Sequence, residues 1–192
     1  MAHISTNDAW AFELPAAPTL PCPAPSAVAD LAPTTNLDGE RTLADRFVIA
    51  LVGLAFEARI ASGPGVVVVC RNTEDEVASS INDALKRGCR SIISFGVAGG
   101  LAPHLRPGNW VVASSIVDAQ QNRPTDRAWS EKILAMIPGA EHRPIAGVDY
   151  AVASPDAKRR MHAETGAATV DMESHLVARL AATHGLSFTA VR

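Results

Sequence analysis

A chain of 192 residues with 47% hydrophobic and 19% charged residues is long enough to form one globular domain with a buried core. Its net charge of −3 argues against a nucleic-acid-binding protein, which should present a basic face. The three cysteines, Cys22, Cys70 and Cys89, lack metal-ligand spacing, and their odd number does not indicate a disulfide framework, so we expect a reducing, cytoplasmic compartment.

Residues 1–45 differ in composition from the rest of the chain. Six of the 13 prolines fall there, mixed with Ala, Thr and Ser and without sustained periodicity. Such a stretch cannot bury enough apolar surface to offset the entropy of ordering it. We therefore predict a disordered tail over 1–45 and a folded domain over 46–192. The longest apolar run, residues 47–56, is about half as long as a membrane span, so no transmembrane segment is expected.

The folded part begins with an alternation of strand-like and helix-like segments. Three apolar or β-branched runs, at 46–53, 65–70 and 91–95, predict buried strands. Helices are predicted between them at 54–61 and 73–87, the second opening with a capping box formed by Thr73 and Glu76. Strand, helix, strand, helix and strand in this order predict a βαβαβ unit and an α/β fold.

The alternation continues to the end of the chain. Trp129, Ile133 and Ile137 recur every four residues in a predicted helix, and Ser154 followed by Pro155 is typical of a helix start. The full set of later predictions is strands at 109–117, 143–152, 167–170 and 186–192, and helices at 125–137, 154–164 and 171–184.

A glycine cluster follows the strand at 91–95. Gly96, Gly99 and Gly100 let the backbone turn sharply, or let a ligand approach where a Cβ would block it. Ligands in open α/β sheets bind just beyond the carboxyl ends of the strands. The pattern alone leaves both interpretations open, a tight turn or a binding loop.

Acidic residues begin the predicted helix at 171–184. The helix dipole and its unpaired amides favour carboxylates there, so we interpret Asp171 as a helix cap. Glu173 lies beside the carboxyl end of the preceding strand, where a carboxylate can accept hydrogen bonds from the hydroxyls of a bound sugar. Met172 is apolar and adaptable, and suits either contact with a ring or the core.

These stretches together resemble the purine nucleoside phosphorylase and methylthioadenosine/adenosylhomocysteine nucleosidase superfamily over about residues 46–192. The motifs are Ser94-Phe95-Gly96-Val97-Ala98-Gly99-Gly100-Leu101, Pro107-Gly108 and Val170-Asp171-Met172-Glu173-Ser174. The hopanoid-associated phosphorylase branch is the most similar, through Gly53-Leu54-Ala55-Phe56-Glu57-Ala58-Arg59 and Asp171-Met172-Glu173-Ser174-His175. The resemblance implies a three-layer α/β fold around a mixed, partly barrel-like sheet, usually in a homo-oligomer.

The resemblance also implies cleavage of the N-glycosidic bond between ribose and a purine, here in adenosylhopane with release of adenine. Glu57 falls near the position of a glutamate that orients the attacking water. Glu173 would bind the ribose hydroxyls, and Met172 would pack on the ribose. The substrate-binding residues implied are Ala98, Gly99, Tyr150, Val152, Met172 and Glu173. We expect no cofactor and no metal, and water or phosphate as the second substrate.

Two departures from the family pattern lead to further expectations. The family protonates the purine with an Asp in a Ser-Asp or Ala-Asp pair just past the last strand, followed by a terminal helix, and this sequence ends at Arg192 before both. Loss of a general acid costs about 10²- to 10⁴-fold in rate, so a catalytically impaired nucleoside-binding remnant is the alternative. Residues 71–76 carry three acidic groups where phosphorylases have a glycine-containing phosphate loop, which favours water as the nucleophile.

Other residues are given smaller roles. Asp118 and Asp149, near strand ends, are candidates to replace the missing acid. His175 and His184 are expected to be packing or surface groups, and His104 to be exposed. A dinucleotide-binding module around Gly96 is a rival interpretation, but the G-x-G-x-x-G fingerprint is not met.

Overall fold

The computed structural model describes residues 47–71 and 74–192, so the predicted tail at 1–45 and Thr73 of the predicted capping box lie outside the described residues. The strands are β1 Val48–Val52, β2 Val66–Cys70, β3 Ser91–Phe95, β4 Gly99–Gly100, β5 Val111–Val117, β6 Asn122–Pro124, β7 Glu141–Gly147, β8 Thr169–Asp171 and β9 Ser187–Val191. The helices are α1 Ala55–Ala61, α2 Glu74–Lys86, α3 Arg127–Met136, α4 Pro155–Thr165 and α5 Ser174–His184.

One mixed sheet contains all the strands described. Its order is β2-β1-β3-β9-β5-β7-β8-β4, and β6 pairs with β5 off this path. β1 pairs in parallel with β2 and β3, and β3 with β9, whereas β9 meets β5 and β8 meets β4 in antiparallel register. The predicted βαβαβ unit and the predicted mixed sheet are therefore confirmed.

The sheet curves until distant strands meet at one edge. In the strand order β8 lies five places from β1, a separation of about 24 Å if the sheet were flat. A Cβ added to Gly53, just after β1, would nevertheless lie 2.9 Å from Glu173 Oε1, just after β8. Only a strongly curved sheet brings these two ends together, which is the partly barrel-like form that was expected.

Helices cover both faces of the β1-β2-β3 region. Ile49 and Leu51 of β1 lie on one face of the sheet and pack with Ile81 of α2 and Val177 of α5. Val52, with the opposite orientation, packs with α1 on the other face. Alternate residues of one strand thus bury themselves in two different apolar clusters, because a strand covered on both faces has no solvent side. The result is the expected three-layer arrangement.

The structure differs locally from the sequence predictions at three places. The strands β4 and β6 have two and three residues, too short for any periodicity to show. Helix α5 begins at Ser174 instead of Asp171, because Asp171 is the last residue of β8. The strand expected at 143–152 lies at Glu141–Gly147.

The described residues bear on two other expectations. Cys89 is buried with a free thiol, and burial raises its pKa. Cys70 is disulfide-bonded, which the odd number of cysteines did not predict, so the cysteine count no longer supports a reducing compartment. Among the described helices, none has the length and apolar character that crossing a bilayer requires.

Candidate active site

Glu57 joins the ends of two neighbouring strands through backbone hydrogen bonds. Its side chain, in the first turn of α1, is 3% exposed. Oε2 accepts hydrogen bonds from the N–H groups of Gly53 at 3.0 Å and Leu54 at 2.9 Å, and Oε1 accepts one from Val97 at 2.7 Å. The first turn of a helix has unpaired N–H groups, and an acidic residue there reaches back to satisfy them. Glu57 therefore ties the loop after β3 to the start of α1.

Gly96 makes this attachment possible. A Cβ at Gly96 would lie 2.6 Å from Cδ of Glu57, which is closer than real Cβ atoms approach other atoms. The sequence left open whether the glycine cluster serves a tight turn or the approach of a ligand. At Gly96 the group that approaches the backbone is the carboxylate of Glu57, a side chain of the protein itself.

Replacing Gly96 by Ala is expected to destabilise the fold by roughly 1–3 kcal/mol, the usual cost of overpacking a filled site. The new methyl group would push Glu57 away from its backbone donors, which cannot move without disturbing β1 and β3. Gly63→Ala is the matched control, because a Cβ at Gly63 meets nothing within 4 Å. Urea unfolding of both variants measures the difference, and equal midpoints would contradict the expectation.

Glu173 is the second glutamate next to Gly53. Its Oε1 accepts a hydrogen bond from Arg71 Nη1 at 3.3 Å, and it is the atom that a Cβ on Gly53 would meet. Burial is the main cause that raises the pKa of Glu173, and the neighbouring Asp171 raises it further. The positive charges of Arg192 and Arg71 lower the pKa but do not offset the rise. Glu173 thus retains a proton at higher pH than an ordinary glutamate does.

A buried ion pair supports the backbone of Glu173. Oδ1 of Asp171 accepts hydrogen bonds from the N–H groups of Glu173 at 2.9 Å and Ser174 at 2.7 Å, so Asp171 caps α5 as expected. Its Oδ2 accepts one from Nε of Arg192 at 2.8 Å, and Arg192 Nη2 donates to Ser94 Oγ at 2.5 Å. These contacts join the ends of β8, β9 and β3. The sequence interpretation did not identify Arg192 as part of this arrangement.

A cavity of about 700 Å³ opens beside Glu57. Ala98 and Arg192 line it, as does Thr169, whose Oγ1 is buried without a hydrogen-bond partner among the described residues. The remaining lining is mainly apolar and includes Phe56, Ile60, Phe95, Val97, Leu105 and Trp110. Its size is typical of a small-molecule site. Thr169 and Trp110 gave no sequence signal, because each is a single residue in an ordinary strand or loop.

The other predicted substrate residues lie outside the lining of this cavity. Gly99 pairs with Val170, and a Cβ on it would meet Val170 Cγ1 at 3.2 Å. Val152 packs in the apolar cluster that contains Val170. Met172 is half-buried, and Tyr150 is 63% exposed. The structure therefore brings Glu57 and Ala98 to the cavity and Glu173 close to Glu57, with Gly99 and Val152 grouped around Val170.

Comparison with known proteins decides the family. Residues 62–192 match the model of the phosphorylase superfamily. The chain belongs to the phosphorylase superfamily. Among curated protein sequences, no match reaches significance.

Solved structures with the same fold include nucleosidases and a hydrolase. The methylthioadenosine/adenosylhomocysteine nucleosidase of Streptococcus pneumoniae has a TM-score of 0.65 and 19% identity, over 76% of this chain and 83% of the other. The corresponding Helicobacter pylori enzyme has a TM-score of 0.62 and 18% identity, over 76% of this chain and 86% of the other. Futalosine hydrolase of H. pylori has a TM-score of 0.63 and 16% identity, over 77% of this chain and 86% of the other. At these identities the likeness establishes the fold.

Asp118 and Asp149, the candidates to replace the missing acid in this phosphorylase-superfamily domain, each have a side-chain partner. Asp118 is paired with Arg123 at 2.7 Å. Its burial raises the pKa, but hydrogen bonds from Gln120, Gln121 and Arg123 outweigh burial and lower it, so Asp118 is held ionised. Asp149 Oδ1 lies 2.9 Å from Nε2 of His175, which is 2% exposed. His175 is thus a packing residue, as expected, and His104 is exposed.

Proposed function

We propose that the protein cleaves the N-glycosidic bond of a purine nucleoside, with water as the nucleophile and release of the free base. The observation that carries the proposal is the placement of two carboxylates, Glu57 and Glu173, against one residue, Gly53, beside a cavity. Breaking the bond develops oxocarbenium-like positive charge on the ribose, which nearby carboxylates stabilise. Membership of the phosphorylase superfamily and the likeness to nucleosidases support the same reaction type.

Glu173 is the residue proposed to hold the ribose. Within the described residues Arg71 bonds only its Oε1, which leaves Oε2 to accept a hydrogen bond from a ribose hydroxyl. The carboxylate is mostly buried, with 18% of its side chain exposed, so its charge acts with little solvent screening. Met172, the preceding residue, is proposed to pack against the sugar.

Glu57 is proposed to position the attacking water and to accept its proton. A carboxylate has about four acceptor sites. Three backbone N–H groups occupy sites on Glu57, two on Oε2 and one on Oε1. Oε1 therefore keeps a site for water. In the proposed step the water oxygen bonds to C1′, its proton passes to Glu57, and the electrons of the C1′–N9 bond leave with the base.

Water is favoured over phosphate by the charges after β2. The sequence at 71–76 has three acidic residues and one arginine, and acidic groups repel a phosphate dianion. That arginine, Arg71, already pairs with Glu173 at 3.3 Å.

The substrate that we propose carries an apolar substituent, as in adenosylhopane with its hopanoid lipid. Apolar side chains dominate the cavity beside Glu57, and several are unusually exposed for their type. Phe56 is 47% exposed, Val97 60% and Ile60 65%. A lipid-linked nucleoside would cover these side chains. Homo-oligomer formation is proposed from the family resemblance alone, and the cytoplasmic location stays a prediction that the disulfide at Cys70 does not favour.

A second candidate function is nucleoside binding without turnover. The observation that favours it is the use of both oxygens of Glu57 by backbone donors, which restrains this carboxylate from moving toward a substrate. Calorimetry with adenosine would then show binding, with no base released.

The test of the proposed function is base release by the full chain. The purified protein is incubated with 5′-methylthioadenosine and with adenosine bearing a long 5′-alkyl substituent, in phosphate-free buffer and in phosphate. Chromatography measures free adenine. We expect adenine in both buffers, with the alkyl substrate preferred. Absence of adenine with every substrate would refute the enzyme, and strict dependence on phosphate would refute water as the nucleophile.

A further inference from the structure

Lys158 has a half-buried side chain on α4 that ends beside the glycine cluster. Its Cε and Nζ would each lie 3.7 Å from a Cβ placed on Gly99. Within residues 47–71 and 74–192 its ammonium group takes part in no ion pair or hydrogen bond. A half-buried ammonium group without a protein partner keeps its three N–H donors available. Such a group is suited to a ligand that supplies an acceptor.

The surroundings of Lys158 include residues that the family resemblance implies for substrate binding. Gly99 pairs with Val170 across β4 and β8, and Val170 shares an apolar cluster with Val152. Two residues after Val170 come Met172 and then Glu173, the proposed ribose contacts. The ammonium therefore lies next to Gly99, one of the implied substrate-binding residues, and is not part of the lining of the apolar cavity.

Neighbouring cations on α4 behave differently. Arg159 forms an ion pair with Asp156, and both side chains are largely exposed. Arg159 thus has the partner that Lys158 lacks. This contrast makes Arg159 the matched control for Lys158.

We propose that Lys158 binds the departing purine and stabilises its negative charge by donating a hydrogen bond to a ring nitrogen. The inference rests on the proposed nucleoside cleavage. As the C1′–N9 bond breaks, its electron pair stays on the base, while the water oxygen bonds to C1′ and its proton passes to Glu57. Lys158 keeps its proton and holds the purine anion. The anion takes a proton from solvent on release, so Lys158 supports leaving-group departure without acting as the acid.

The experiment compares Lys158→Met, Lys158→Arg and Arg159→Met on two substrates. The leaving group of 5′-methylthioadenosine is adenine, which departs poorly as an anion. The leaving group of 4-nitrophenyl riboside is 4-nitrophenolate, whose nitro group stabilises the negative charge. Loss of a preorganised donor should lower kcat of Lys158→Met on the purine substrate by about 10²-fold and on the nitrophenyl substrate by less than about 3-fold. Lys158→Arg should recover most of the purine rate, and Arg159→Met should match the wild type. Equal losses on both substrates, or no loss, would overturn the proposal.

Adenine binding separates this proposal from the proposed function. Calorimetry should show adenine binding to the wild type and roughly tenfold weaker binding to Lys158→Met, as expected for a lost hydrogen bond to a charged group. If neither substrate is cleaved but adenine binding depends on Lys158, the proposed hydrolysis fails and the base site stands. If adenine binds equally to both proteins, or not at all, the role of Lys158 is refuted whatever the activity.

Discussion

Glu173→Gln is expected to lower the rate of base release by roughly 10²- to 10³-fold, the usual loss when one preorganised electrostatic contact is removed from a reaction centre. The amide keeps the shape of the side chain but has no negative charge to oppose the charge that develops on the ribose. The loss should appear in kcat, since the interaction strengthens as the bond breaks. Adenine release from 5′-methylthioadenosine measures it. Glu131→Gln, on the exposed face of α3, is the control and should leave the rate unchanged.

The same substitution should stabilise the protein at pH 8. Burial, reinforced by Asp171, raises the pKa of Glu173 in the folded state. A group with a raised folded pKa contributes stability that is fully present below its unfolded pKa and is lost as pH rises through its folded pKa. Glutamine avoids that loss, so its Tm should exceed that of the wild type at pH 8, and the gap should narrow toward pH 4. Activity of the wild type should fall over the same interval as the pH is lowered, because Glu173 must be ionised.

An equal or lower Tm at pH 8 for Glu173→Gln would show that Arg71 and Arg192 stabilise the carboxylate more than burial opposes it. Full activity of Glu173→Gln would show that Glu173 takes no part in the reaction. The two readouts are independent, because the stability gain comes from burial and the rate loss from the charge on the substrate.

Arg192→Met is expected to destabilise the protein by about 3–5 kcal/mol, the cost of leaving one member of a buried ion pair without its partner. The side chains of Arg192 and Asp171 are 2% and 1% exposed. Without the guanidinium, Oδ2 of Asp171 would be a buried negative charge with no donor, and Ser94 would lose its hydrogen bond. The free energy of unfolding in urea measures the effect.

The double variant Arg192→Met/Asp171→Asn tests the cause. Asparagine removes the unpaired charge and keeps an oxygen for the N–H groups of Glu173 and Ser174. The double variant should therefore be more stable than Arg192→Met alone. Arg127→Met is the control, since its partner Glu131 is 57% exposed and such surface pairs contribute about 0–1 kcal/mol. A loss at Arg192 no larger than at Arg127 would contradict the expectation.

Local signals account for most of the fold. The runs at 46–53, 65–70 and 91–95 are apolar without alternation, which indicates strands covered on both faces, and they pair in parallel. The start of α5 could not be predicted in the same way. Asp171 suits both the end of a strand and a helix cap, and the structure uses it for both, because its backbone ends β8 while its side chain bonds the amides of Glu173 and Ser174.

Residue type and position singled out Glu173, a carboxylate beside a strand end, whereas Glu57 came only from the family resemblance. The roles of both residues stay predictions. Arg192 and Lys158 were not predictable, because their positions depend on how the sheet curves. Arg192 follows β9 and pairs with Asp171 of β8, although these strands are three positions apart in the strand order. In the sequence, Lys158 is an ordinary polar residue of a helix, and only the structure shows that it lies beside Gly99 of β4.

Gly53 contacts both glutamates of the candidate site. Its amide is bonded to Glu57, and its missing Cβ is what gives Glu173 room. In the proposed reaction, positioning of the water by Glu57 and binding of the sugar by Glu173 would both depend on the backbone at Gly53, and a side chain at this position would disturb both.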